Sequence, residues 1–330
     1  FKKEFFTTLF LSIFLGIMAG FIRDRLNYVY RNPKEVSDSL KKPILGSLPY
    51  LECLESNQEN FSEINFLDLE KSFINFDKNE SKKFKQEFFI LQESLRNLFT
   101  SVKFLNTDDS QKLLAITSSV PSEGKSIVSI LYAKTLISFG KKVLLIDADM
   151  RKPQIHKRTQ MDNIRGLSNF LTGKDNDLEG FIQTHNDFKN LDILTAGLTP
   201  PDTTRLLSSQ KMQKTLSYLK NESKYDVILI DNPPFLGLAD CSLISQKVDG
   251  ILLVVGLDEV RRNLPQETLN KILSMNSNFL GIITNSLKKR DNLSNQYSYG
   301  YGPDEKNSYF KYFEDSESAK DAEKLTQVEE

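Results

Sequence analysis

The 330-residue sequence has no tryptophan, two histidines and two cysteines. With only His156 and His185 available, the residue types argue against a histidine-built metal centre. Cys53 and Cys241 lie far apart in the chain, which argues against a zinc-type spacing and fits a reducing compartment. An excess of one charge is also missing. Lys and Arg number 43 against 44 Asp and Glu, for a net charge of −1. No broad basic surface is available, so no nucleic-acid partner is expected. Internal repeats are absent as well. What remains is ample apolar content, 39%, enough for a core in roughly one or two domains.

One long uncharged run stands out. FFTTLFLSIFLGIMAGFI, Phe5 to Ile22, is about long enough to cross the hydrocarbon core of a bilayer as a helix. Lys2 and Lys3 precede it, whereas Arg23, Arg25, Arg31, Lys34, Lys41 and Lys42 follow it. The heavier positive side marks the downstream chain as cytoplasmic and the run as a span of the inner (plasma) membrane. Gly16 and Gly20 have the GxxxG spacing that lets helices approach closely. The competing readings are a signal peptide, which the downstream positive charge disfavours, and a buried helix without a polar face. The chain begins at Phe1, so an upstream segment is an expectation.

The organisation expected is a transmembrane helix with flanks over residues 1–30, a cytoplasmic linker over 31–85, a catalytic domain over 86–290 and a tail over 291–330. In the linker, PILGSLPYL is a short Pro-bounded apolar piece. From Phe84 onward, Phe88, Leu91, Leu95, Leu98 and Val102 recur at helical spacing.

The chemistry concentrates after residue 112. A short apolar run, Leu113–Thr117, leads through small residues into Gly124-Lys125-Ser126 and then a periodic apolar stretch. Strand, loop and helix in that order form a phosphate loop: backbone N–H groups and the helix dipole cradle phosphates, Lys125 reaches the β- and γ-phosphates, and Ser126 holds Mg²⁺. Ser122, Glu123, Gly124, Lys125, Ser126 and Ile127 are the candidates for ATP. Ser119 stands where a strict motif has its first glycine, and Ser122 where related loops often have one. Two further apolar runs end in carboxylates: VLLIDADMR gives Asp147 and Asp149, and VILIDNPP gives Asp231. Carboxylates at strand ends beside a phosphate loop suit Mg²⁺, which takes oxygen ligands alongside phosphate. For each Asp alone, a turn or cap role competes. Further strands are expected at 191–196, 250–256 and 279–285, with helices near 204–221, 239–247 and 264–275. The alternation predicts an α/β fold of the P-loop NTPase kind, a doubly wound, mostly parallel sheet with helices on both faces.

SSVPSEGKS, VLLIDADMR and VILIDNPP together resemble the Walker A, additional aspartate and Walker B motifs of the bacterial tyrosine kinases. GLSNFLTG at 166–173 and ADCSLISQKVDGILLVV at 239–255 agree. The amino-terminal span followed by KKPILGSLPYL is similar to the end of a polysaccharide chain-length determinant, to which such kinases are often fused. The resemblance also gives meaning to QYSYGYGPDEKNSYFKYF near the carboxyl end, where Tyr297, Tyr299, Tyr301, Tyr309 and Tyr312 cluster. By themselves these tyrosines could be a sticky edge segment. The resemblance implies autophosphorylation acceptors, entering a neighbouring active site in a ring of copies. It also implies partners in polysaccharide polymerisation and export, and a cognate phosphatase.

The family's ExxRxxR ring motif aligns with Glu93, Arg96 and Phe99, so the last Arg is replaced, and Arg205 stands where a Glu is usual. The resemblance implies Mg²⁺ on Ser126, Asp149 and Asp231. Asp147 is the first choice to accept the tyrosine proton and Asp149 the second, with Lys125 on the phosphates. Arg151 either steadies developing charge or pairs with an Asp. Two alternatives stay open. One is a P-loop ATPase switch of the septum-site or partitioning type, although Val120 replaces its expected lysine. The other is a chain-length regulator with an inactive kinase domain.

Overall fold

The computed structural model describes residues 2–25, 28–51, 78–105, 111–175 and 177–288, with side chains outside the description at 2, 3, 7, 19–25, 78–84 and 86. The tyrosines expected as acceptors, Tyr297, Tyr299, Tyr301, Tyr309 and Tyr312, lie outside the described residues.

In chain order the elements are α1 (Lys2–Arg25), α2 (Pro33–Leu40), β1 (Ile44–Leu48), α3 (Lys78–Leu105), β2 (Leu113–Ser118), α4 (Lys125–Ser138), β3 (Val143–Asp147), α5 (Ile155–Thr159) and α6 (Leu167–Thr172). They continue with β4 (Gln183–Thr184), β5 (Leu191–Leu194), α7 (Thr203–Leu207), α8 (Gln210–Asn221), β6 (Val227–Asp231), α9 (Asp240–Ser245), β7 (Gly250–Leu257), α10 (Asn263–Ser274) and β8 (Phe279–Ser286). The single helix expected near 204–221 is two. Ser209, with extended φ and ψ, breaks the run and caps α8 by accepting from Met212 N.

The strands form one sheet in the order β1-β8-β7-β2-β6-β3-β5-β4. All described pairings are parallel except β4 on β5. The expected α/β architecture is therefore present, with one antiparallel edge strand added. The alternation of faces explains why the central strands read as unbroken apolar runs. In β3, Val143 and Leu145 join the core beneath α3 and α4, while Leu144 and Ile146 join the core beneath α6 and α8. The order reverses at β2, which has β6 on one side and β7 on the other. Ligands of open α/β sheets bind outside the carboxyl ends of strands at such a switch point.

Part of the expected linker belongs to the sheet. β1 pairs with β8, Ile44 opposite Ile282 and Leu48 opposite Asn285. Gly46 is required there because a Cβ would lie 2.9 Å from Leu98 Cβ of α3. Tyr30 is fully buried and its hydroxyl donates to Ser39 Oγ at 2.7 Å. Residues 44–48 of the expected linker thus pair with the sheet, because the strand needs a neighbour and β8 supplies one.

The segment expected to span the membrane is helical throughout as part of α1, and its described apolar side chains are exposed, Phe10 at 75%. The expected span runs on into residues 19–22, whose side chains lie outside the description. Among the described residues no helix is long and apolar enough to cross a membrane.

Candidate active site

β2 ends at Ser118 and α4 begins at Lys125, so the intervening loop sits at the carboxyl edge of the sheet beside β6 and β7. Gly124 has φ +88° and makes no side-chain cap to α4, so the first N–H groups of that helix remain for an anion. A Cβ on Gly124 would collide with Asn285 Nδ2, which donates to Glu123 O at 2.9 Å. Ser122 also takes a left-handed conformation, φ +71°. That is the physical reason a glycine would suit this position.

Glu123 points away from the ligand space. It is fully buried, its Oε1 accepts from Val120 N at 2.7 Å and its Oε2 from Gly256 N at 2.8 Å. Burial pushes its carboxyl up to about 7, against the pull of the N–H donors. Its role is to brace the loop on the end of β7.

The three aspartates divide the work. Register sets Asp147 of β3 opposite Asp231 of β6. Asp147 is fully buried and turned to backbone: Oδ1 accepts from Asp149 N at 3.1 Å, and Oδ2 from Gln154 N at 3.2 Å and Ile155 N at 3.1 Å. Burial raises its pKa, the nearby Asp231 charge adds to the rise, and Lys125 opposes it. Asp147 shapes the turn after β3 and does not line the cavity. Asp149 does line it, with Oδ2 2.9 Å from Lys125 Nζ. Asp231 lies beneath the loop; its Oδ2 accepts from Ser126 Oγ at 2.6 Å and its Oδ1 from Ser129 Oγ at 3.2 Å. Burial raises its pKa while Lys125 and Ser126 resist.

Lys125 Nζ sits between two carboxylates, 2.9 Å from Asp149 and 3.6 Å from Asp231. Burial disfavours its charge, but Asp231 and Asp149 outweigh burial and hold its pKa above the usual lysine value. Among the described residues no group of three His, Cys, Asp or Glu side chains by itself is arranged to hold a metal ion; the Lys125 ammonium lies between Asp149 and Asp231. The oxygen-only set of Ser126, Asp149 and Asp231 still fits Mg²⁺, which completes its shell with waters and phosphate oxygens.

These groups open on a cavity of about 850 Å³, within the range of roughly 300–1,000 Å³ usual for ligand sites. Ser122, Gly124, Lys125, Ser126 and Ile127 form one wall, and Asp149, Arg151, Lys152, Gln154 and Arg158 another. Pro234, Leu236, Gly237 and Leu238 follow β6, and Glu259, Asn285 and Leu287 close the side beyond β7 and β8. Of the expected residues, Glu123, Asp147 and Asp231 are not on its surface. Sequence reasoning missed Asn285, Arg158 and Asp240. Asn285 lies near the end of an apolar strand, which was a usable signal; Asp240 sits in the stretch 239–255 that carried part of the resemblance but no assigned role, and Arg158 in a segment with no distinguishing pattern. Arg151 pairs with Asp240, its Nε lying 2.7 Å from Asp240 Oδ2, while the same side chain lines the cavity.

A family profile described as an AAA domain matches residues 111–272. The chain is 36% identical over 209 residues to the tyrosine-protein kinase YwqD of Bacillus subtilis, covering 63% of this chain and 85% of that protein. The chain belongs to the bacterial tyrosine kinase family. Among solved structures, the kinase domain of the Escherichia coli tyrosine kinase ETK aligns with a TM-score of 0.66 and 27% identity, covering 82% of this chain and 99% of that domain. Some family members are much longer. The tyrosine-protein kinase ptk of Acinetobacter johnsonii is 28% identical over 86% of this chain, which spans only 36% of that protein. The loop between β2 and α4, at the carboxyl edge of the sheet, has the placement of a phosphate loop in a P-loop fold. On α3, Arg96 pairs with Glu93 at 2.6 Å. Phe99 stacks on Phe139 of the same chain, centroids 4.1 Å apart.

Proposed function

We propose that this chain is an ATP-dependent protein-tyrosine autokinase whose acceptors are Tyr297, Tyr299, Tyr301, Tyr309 and Tyr312 of another copy. The observation that carries the reading is the Lys125 ammonium poised between Asp149 and Asp231 at the mouth of an uncapped helix. ATP phosphates displace Asp149 as the partner of Lys125, and the N–H groups at the start of α4 take the remaining phosphate oxygens. Mg²⁺ held by Ser126, Asp149 and Asp231 would neutralise charge on the phosphates. Phosphoryl transfer needs positioning and charge neutralisation more than covalent help.

Asp149, on the cavity wall, is the carboxylate we assign to accept the tyrosine proton. Asp147, the first choice on sequence, has its oxygens engaged by three backbone N–H groups and is not on that wall. Each phosphate adds about −1.5 to −2 charges to the acceptor segment, which loosens an assembly of copies. The helix α1 anchors that assembly at the inner membrane, with the kinase domain on the cytoplasmic side. There it acts with polysaccharide polymerisation and export proteins and is reset by a tyrosine phosphatase.

The test is phosphotyrosine mapping by mass spectrometry after incubating the full chain with Mg·ATP, beside Lys125→Met. Phosphate on residues 297–312 that vanishes in the variant supports the reading. ATP hydrolysis with unmodified tyrosines would replace it with an ATPase switch, and the absence of both would leave a regulator with an inactive domain.

A further inference from the structure

Asp240 is the first residue of α9 and is 1% exposed, far from the loop in sequence. Four donor groups from two separate segments, the turn after β3 and the start of α7, converge on its carboxylate. Oδ2 accepts from Arg151 Nε at 2.7 Å and from Thr203 Oγ1 at 3.1 Å. Oδ1 accepts from Thr204 Oγ1 at 2.5 Å and from Arg151 Nη2 at 3.4 Å. Nη2 of Arg151 also donates to Thr204 Oγ1 at 3.2 Å. Burial works against the Asp240 charge, but the bonds from Arg151, Thr204 and Thr203 prevail and hold its pKa below the usual carboxylate range.

The consequence is geometric. Arg151 lines the cavity, and its side chain is 43% exposed. An arginine that exposed would otherwise sample several rotamers and lose side-chain entropy on meeting a ligand. Here two corners of its planar fork are fixed by a buried anion, and no hydrogen bond of its third corner, Nη1, is described. Thr203 and Thr204 open α7, so the same carboxylate ties the turn after β3, the start of α7 and the start of α9 into one wall.

We propose that Asp240 is a positioning residue for phosphoryl transfer: it aims the Arg151 guanidinium into the cavity on the wall facing the phosphate loop. It touches neither nucleotide nor acceptor. Its contribution is to deliver a fixed positive charge where charge develops during transfer, a case in which preorganisation rather than binding supplies the gain. The proposal rests on the kinase reading above for its catalytic consequence, though not for the clamp itself.

The test compares wild type, Asp240→Asn, Arg151→Ala and the double variant, as full chains, with a peptide of residues 294–313 as acceptor. Asp240→Asn is expected to lower kcat about ten- to a hundredfold while KM for ATP stays within about twofold. The double variant is expected to be no worse than Arg151→Ala alone, because both changes remove one device. Additive losses, or an ATP KM that rises as kcat falls, would overturn the proposal and leave a purely structural ion pair. Should Asp240→Asn not fold, Thr204→Val removes two clamp bonds, to Asp240 Oδ1 and from Arg151 Nη2, without touching a charge, and is expected to show a smaller loss confined to kcat.

A second readout does not depend on kinase activity. The Arg151 Nε–H resonance in ¹⁵N-edited spectra should exchange slowly in wild type and rapidly in Asp240→Asn. Equal protection in both would sink the clamp. A protected Nε–H in a protein that phosphorylates no tyrosine would instead sink the kinase reading and leave the clamp standing.

Discussion

The two walls of the cavity are built on opposite plans. The loop wall, Ser118 to Ser126, is held by groups pointing away from the ligand space. Glu123 reaches Val120 and Gly256, Asn285 holds Glu123 O, and Phe235 N and Leu236 N donate to Ser118 O and Ser119 O. The facing wall, Asp149 to Arg158, presents charges to the cavity and is fastened from behind by Asp147 and Asp240. The first wall is held largely through backbone and can be rigid, whereas the second carries side chains whose aim can be set separately. On the kinase reading the first would meet phosphates and the second the transferred group and the acceptor.

Changes at Lys125 and Gly124 on the loop wall should weaken nucleotide binding; those on the facing wall should spare binding and cut turnover. The largest effect is expected for Lys125→Met. It removes the ammonium that lies between two buried carboxylates whose side chains are 6% and 0% exposed. Loss of one partner of a buried pair costs roughly 3–5 kcal/mol, and phosphotyrosine formation should fall by more than about a hundredfold. Calorimetry and phosphopeptide mapping check the two parts; a variant that keeps half its activity would break the distinction between the walls.

Gly124→Ala comes next. The left-handed backbone and the collision with Asn285 Nδ2 oppose any side chain, and the strain costs of order 1–3 kcal/mol. Fluorescent-nucleotide titration should show affinity down by about tenfold or more. Asn285→Ala should relieve the collision and recover part of the binding; no recovery would show that the backbone angle alone decides.

Glu123 sharpens the comparison through pH. Its folded pKa, about 7, lies above the unfolded value of about 4.3. The folded state therefore holds the proton more tightly. This contribution is complete below about pH 4.3 and declines as pH rises to about 7. Glu123→Gln leaves Val120 N or Gly256 N facing an amide donor, at roughly 1–3 kcal/mol. Thermal unfolding between pH 4.5 and 8 should show a lower and flatter stability profile in the variant; an unchanged slope would remove Glu123 as its source. The smallest effect has the opposite sign. Ser122→Gly should stabilise by about 1 kcal/mol or less, since φ +71° costs serine but not glycine. A lower Tm would mean that the Ser122 side chain supports the loop.

The central fold was legible because burial on both faces forces apolar runs. Leu113–Ser118, Val143–Asp147 and Val227–Asp231 announce themselves, and each carries its functional residues at or just beyond its carboxyl end. β1 was less legible: ILGSL is short and holds a glycine, and its strand identity depends on β8 being beside it and Leu98 above it. The clamp was not legible at all. Asp240 lies 89 residues from Arg151, and nothing local distinguishes it from a helix cap.

Sequence alone determined the chemistry available: a phosphate loop, three strand-end carboxylates, an arginine after them and a cluster of tyrosines. Those follow from residue type and short spacing, which the chain fixes before it folds. Tertiary structure decided how the groups are used. It turned Asp147 onto backbone amides and Asp149 toward Lys125, although they are two positions apart, because the strand ends between them and the turn reverses direction. It brought Asp240 to Arg151 because α9 starts where β6 delivers the chain, beside the turn after β3. Spacing sets what can react; packing sets which carboxylate remains free to meet a ligand.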